Sequence, residues 1–229
     1  MSRPVIGIDL GTTNSVVATV DDDGKVVILR NAGLSQIPPG AHLGALQGRF
    51  GGTVMLCIDV SGSMDGDPIL QAVRGAVEFV SEAVAAHYKV GVMLWNTSVV
   101  ALAEPTTDGG AAMGILAPVN HAAGGNDLIG PLERCHQVLG QFTGDRVVAL
   151  FGDGDLTPRH RVLVKVAQMK SENIRFVTRG LGAMAAREFG EISSEEASTA
   201  TVNGVEDLAA GIAGMAASLK PAAGSGSGE

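Results

Sequence analysis

One stretch limits the folds open to this chain more than any other: Thr53–Met64, reading TVMLCIDVSGSM. An apolar, β-branched run from Val54 to Ile58 stops at Asp59, and oxygen-bearing side chains then follow at alternate positions, Asp59, Ser61 and Ser63. A buried run of that length ending in a turn signal predicts a central parallel strand. Beyond Pro68 the spacing becomes helical, with Ile69, Val73, Ala76, Val77, Val80 and Val84 on one apolar stripe. The polar triplet therefore falls in a strand-to-helix loop at the carboxyl end of a strand, where open α/β sheets bind ligands. A carboxylate with two hydroxyls supplies hard oxygen donors, the kind that magnesium and calcium take.

The rest of the chain repeats the alternation of strand and helix. Lys89–Leu94 reads as a second buried strand, and Asn96-Thr97 turns the chain into Val99–Ala103, an antiparallel edge strand. Gly109–Leu116 and Ile129–Leu139 follow as helices, Arg146–Phe151 as a strand, and Pro158 to Lys170 as a helix. Ile174–Thr178 is a further strand, Ala183–Ser194 a helix, Thr199–Val202 a short last strand and Asp207–Leu219 a closing helix. The expected fold class is α/β: a doubly wound, mostly parallel six-stranded sheet with one antiparallel edge strand. Ahead of it, Val5–Leu10, Ser15–Val20 and Val26–Arg30 predict a small β-meander with a hairpin turn at Asp21-Asp22-Asp23-Gly24. The expected organisation is a meander over residues 1–39, a Gly-rich linker over 40–52, the α/β domain over 53–219 and a flexible tail over 220–229.

Composition removes several classes of function. A net charge of −8 argues against nucleic acid or an anionic membrane as the main partner. No apolar run approaches the roughly 20 residues of a membrane span, and the first residues lack a signal-peptide pattern. Cys57 and Cys135 fall on a predicted buried strand and helix, which reads as packed free thiols in a reducing cytoplasm. The expected location is cytoplasmic. His87, His121, His136 and His160 are scattered over predicted helix ends and loops and read as surface or capping residues. Nothing in the sequence would activate Ser61 or Ser63 as a nucleophile.

Asp59-Val60-Ser61-Gly62-Ser63 resembles the opening D-x-S-x-S motif of the von Willebrand factor A domain family. That resemblance implies a metal-ion-dependent adhesion site completed by a Thr on a second loop and an Asp on a third. Gly124-Gly125-Asn126 stands where the family usually has Gly-Gly-Thr, so Asn126 takes the Thr position. An amide oxygen is still a competent ligand for a hard cation. Asp127 either coordinates or caps the following helix. Gly152-Asp153-Gly154 resembles the third metal loop, with Asp153 at the carboxylate position, and Gly180-Leu181-Gly182 is similar to the end of the corresponding family strand. The implied metal set is Asp59, Ser61, Ser63, Asn126 and Asp153, holding magnesium, with manganese and calcium as alternatives.

The wording IGIDLGTTNSVVATV, followed by NAGLSQIPP, is similar to the opening of the DnaK-type heat-shock chaperones. In that family the first hairpin cradles the phosphates of ATP, and the matching positions are Asp9, Gly11, Thr12 and Thr13. The match covers about the first 39 residues, and the remaining parts of that ATPase have no counterpart downstream. The resemblances together imply a non-enzymatic interaction module. A partner protein would complete the metal site with an acidic side chain, in a bacterial stress-response or chaperone-linked assembly joined through the meander. The alternative is a nucleotide-dependent chaperone-like ATPase subunit that uses the N-terminal phosphate loop with a partner chain.

Overall fold

The computed structural model describes residues 6–10, 15–20 and 26–28 by their backbone, and residues 52–154, 156–195 and 201–219 in full. The chain divides into two units, 1–45 and 46–229. In the first, β1 (Ile6–Leu10), β2 (Ser15–Val20) and β3 (Val26–Ile28) form an antiparallel sheet in the order β1-β2-β3. Asp9 stands opposite Val16 in that register. Gly11, Thr12 and Thr13, all of the linker over 40–52 except Gly52, and the tail over 220–229 lie outside the described residues.

The second unit is built on β4 (Thr53–Asp59), which is buried along its whole length. It pairs in parallel with β5 (Lys89–Trp95) on one side and with β7 (Arg146–Gly152) on the other. The six-stranded order is β6-β5-β4-β7-β8-β9, with β6 (Val99–Thr106) antiparallel at one edge. β8 (Ile174–Leu181) and the two-residue β9 (Thr201–Val202) continue the parallel part. The expected fold class is the one observed, and the order reverses at β4, the switch point whose carboxyl end opens toward ligands.

Period-two alternation in β4 sends Val54, Leu56 and Ile58 into one apolar layer and Met55 and Cys57 into the other. The first layer is covered by α1 (Asp67–Ala85), α2 (Gly110–Leu116) and α6 (Leu208–Gly214). The second is covered by α3 (Ile129–Leu139), α4 (Arg159–Ser171) and α5 (Gly182–Ile192). Among the described residues, no helix is long and apolar enough to cross a membrane.

Two expectations need correction. The stripe buried by α1 is Ile69, Ala72, Gly75, Ala76, Phe79, Val80 and Ala83, whereas Val77 is exposed. The reason is tertiary: α1 packs against α6 as well as the sheet, and a Cβ on Gly75 would stand 2.4 Å from the Ala209 carbonyl oxygen. That close approach rotates the buried stripe toward residues 72, 75 and 79. The closing helix is also not continuous, because 3₁₀ turns at Val205–Asp207 and Met215–Leu219 flank α6. Its last turn is drawn to the base of the sheet, where the Tyr88 hydroxyl lies between the Leu219 carbonyl and the Asp145 carboxylate. Arg175 grips the same carboxylate with two hydrogen bonds, at 2.8 and 2.6 Å. His136 falls in the last turn of α3, as expected of a helix-end histidine, and its ring nitrogens meet Glu172 at 2.8 Å and Lys165 at 2.7 Å.

Candidate metal centre

Asp59 ends β4 and is fully buried. Its Oδ1 accepts the Ser61 amide at 2.8 Å, while its Oδ2 is buried without a hydrogen-bond partner. An ionised oxygen left bare in the interior is costly. Burial accordingly pushes the Asp59 carboxyl up to about 6, opposed in part by the bonds from Ser61 and reinforced by the nearby charge of Asp153. Ser61 and Ser63 follow in a turn that continues as a 3₁₀ helix, Gly62–Met64, and their hydroxyl oxygens are 3.2 Å apart. Ser63 Oγ then donates to Asp153 Oδ1 at 2.9 Å, joining the first loop to the third.

The third loop follows β7. A Cβ on Gly152 would stand 3.0 Å from Asp59 Oδ2, so the bare carboxylate oxygen faces this loop. A Cβ on Gly154 would stand 1.9 Å from Asn126 Nδ2. Only glycine at 154 lets the second loop's amide approach the third loop so closely. Asn126 Oδ1 is, like Asp59 Oδ2, buried without a hydrogen-bond partner.

The second loop is held by main-chain bonds. Gly62 N donates to Gly124 O at 3.0 Å, Ala123 N to Val60 O at 2.9 Å, and Asp127 N to Asn96 O at 3.0 Å. Gly124 takes a φ of 94°, in the left-handed region that glycine enters without strain. Asp127 Oδ1 accepts the Ile129 amide at 3.0 Å, so this side chain braces the start of α3.

The structure thus gathers Asp59, Ser61, Ser63, Asn126 and Asp153 at one end of the sheet. Asp59 Oδ2 faces the third loop and Asn126 approaches it through Nδ2, each of the two residues keeping one buried, unpartnered oxygen; the donors are two carboxylates, two hydroxyls and one amide. That set fits a hard divalent cation, which takes oxygen ligands of these types. Asp9 belongs to the other unit.

Two residues of this end were missed by sequence reasoning. Asp65 Oδ1 accepts the Ala122 amide at 3.0 Å and lies 2.7 Å from His121 Nδ1, tying the first loop to the second. The hydrogen bond from Ala122 holds its carboxyl below the usual range, with His121 adding to the effect. Asn96 Nδ2 donates to Ala123 O at 2.8 Å and supports the second loop from the β5–β6 turn. Asp65 carried a signal, since it extends the alternation Asp59, Ser61, Ser63 by one more step.

Residues 54–155 match the family model of the von Willebrand factor type A domain. No curated protein matches the chain. Among solved structures, the vWF domain of the type V pili tip protein Mfa5 from Porphyromonas gingivalis is similar, with 11% identity and a TM-score of 0.64 over 75% of this chain and 95% of that one. Manganese-loaded Plasmodium vivax TRAP protein is similar with 15% identity and a TM-score of 0.56, over 73% of this chain and 74% of that one. Proximal thread matrix protein 1 from the mussel byssus, with a zinc-occupied MIDAS motif, gives 15% identity and a TM-score of 0.57 over 76% of this chain. The present chain spans 47% of that protein. The six-stranded unit therefore has the vWA-like α/β fold, and the stretch that matches the von Willebrand factor type A domain runs from its central strand through its third loop.

Proposed function

We propose that this chain is a protein-interaction module whose binding site is a divalent cation held by Asp59, Ser61, Ser63, Asn126 and Asp153. The observation that carries the reading is the pair of buried, unpartnered oxygens, Asp59 Oδ2 and Asn126 Oδ1, on loops that meet at Gly152-Asp153-Gly154. Buried polar atoms are nearly always satisfied, so two bare oxygens on side chains that both approach one loop support a missing electrophile there. The zinc and manganese reported for two structures of the same fold add to the case for a divalent ion. Magnesium is the ion we assign, on the hardness of the five donors.

Within this reading, Asp59 and Asp153 hold the ion and the neutral groups orient it. Only two of the five donors are charged, so the ion stays electrophilic toward an acidic side chain of a partner protein. A cytoplasmic, chaperone-linked assembly is the setting we attach to it, the compartment supported by the two free thiols and the chaperone link by the wording of residues 1–39 alone. Thermal melting of the full chain in EDTA, magnesium and manganese tests the site. Millimolar cation should raise the midpoint by several degrees, as roughly 2–3 kcal/mol of linkage would. Asp59→Ala and Asp153→Ala should each abolish the shift. A wild-type midpoint indifferent to all three conditions would overturn the assignment.

A further inference from the structure

Beneath the metal loops, in the apolar layer between the sheet and α3, two thiols touch. Cys57 on β4 is 2% exposed and Cys135 on α3 is fully buried, and their Sγ atoms are 3.2 Å apart. Their surroundings are aliphatic: Met55, Leu132, Val138 and Leu150 belong to the same layer. Cysteine serves well enough there as a small hydrophobe, but packing alone does not require two of them in contact. A disulfide needs a sulfur separation of about 2.05 Å, so the pair is about 1 Å from bonding distance. Small side-chain rotations and a slight settling of α3 onto β4 would close that gap.

We propose that Cys57 and Cys135 form a reversible dithiol, converted by hydrogen peroxide into an intramolecular disulfide that fastens α3 to the central strand. The thiol that meets the oxidant becomes a sulfenic acid as the O–O bond breaks and one water leaves. The second thiol attacks that sulfur, the S–S bond forms, the S–O bond breaks, and the departing hydroxyl takes the thiol proton as a second water. The two thiols give up two hydrogens and two electrons, which reduce the peroxide. Access comes through α3, because β4 is clasped by strands on both sides while the outer face of α3, Gly130, Glu133 and Gln137, is open to solvent. Local lifting of this helix uncovers Cys135 first.

The bond would close a loop between residues 78 apart in sequence, with the first two metal loops inside it. Its effect is therefore to brace the floor on which Asp59 and Asn126 stand. This inference is independent of whether a cation binds.

The test treats the reduced full chain with about millimolar hydrogen peroxide, then alkylates it in denaturant and maps peptides without reduction. The expected result is one linked peptide pair, Cys57–Cys135, in a monomeric product that dithiothreitol returns to two free thiols. Its melting midpoint should stand roughly 5–10 °C above that of the reduced protein. Cys135→Ala should lose the rise, and any folding defect in that variant leaves the wild-type map decisive. Both thiols still alkylatable, a link only between chains, or sulfinic or sulfonic acid without the internal link would each overturn the proposal.

Discussion

Asp59 is under opposed demands. Its folded carboxyl titrates near 6 against an ordinary 3.8, so between those values the folded chain binds more protons than the unfolded one. Stability conferred by the protonated form is fully present below about 3.8 and is lost as the pH rises through about 6. At pH 7 the metal-free protein therefore carries a charged, half-satisfied carboxylate, a burden of about 2–3 kcal/mol. Asp59→Asn should raise the metal-free midpoint at pH 7.5 while erasing the response to cation, and it should flatten the decline in stability between pH 4 and 6. A destabilised Asn variant with an unchanged pH profile would show that the carboxylate is satisfied by something else. Cation binding runs the other way, because it needs the charged form: affinity should fall as the pH drops below about 6. Asp145 behaves conventionally. Burial would lift it, but Arg175 and Tyr88 more than offset that and hold it below the usual range, so its contribution is lost on acidification below about 4.

At the scale of elements, α1 and α6 meet at Gly75 without room for a methyl group. Gly75→Ala would gain up to about 1 kcal/mol in helix propensity. It would also push the two helices apart, at a cost of about 1–3 kcal/mol. The net expectation is a lower denaturant midpoint with the metal response retained; a neutral or stabilised variant would mean that the helices separate freely. Much of the element order was legible because buried strands and amphipathic helices announce themselves by period: Ile129–Leu139 is observed with the bounds the sequence predicts, and β7 and β8 run only one and three residues longer. The first and third loops were legible because they follow the ends of β4 and β7, whereas Gly124–Asn126 lies between α2 and α3 and was legible only by its wording. Side-chain burial set by a second helix was not, so Val77 was misplaced. Nor were long-range ties such as Asp65 to Ala122, Asn96 to Ala123 and Cys57 to Cys135, which join residues far apart in sequence and leave no local period.

At the scale of the whole chain, the two units differ in what they can bury alone. The second has two apolar layers around its sheet. The first is a three-stranded meander whose sequence offers Val5, Ile6, Ile8, Leu10, Val16, Val17, Val26, Ile28 and Leu29, more apolar surface than a sheet of that size leaves in water. We expect deletion of residues 1–39 to lower solubility or break an assembly, read by light scattering, while the cation-dependent melting shift persists. A shift that vanished with the deletion would place the meander within the metal site. The main-chain clasps of the second loop carry a different consequence, for how such a protein changes over time. Because Gly62, Ala123 and Asp127 fix the loop's course through amides, the main-chain path of the loop does not depend on which side chain stands at 126. In the reading proposed above, exchange of that one side chain would alter the preferred ion and the threshold for engaging a partner while the loop kept its course.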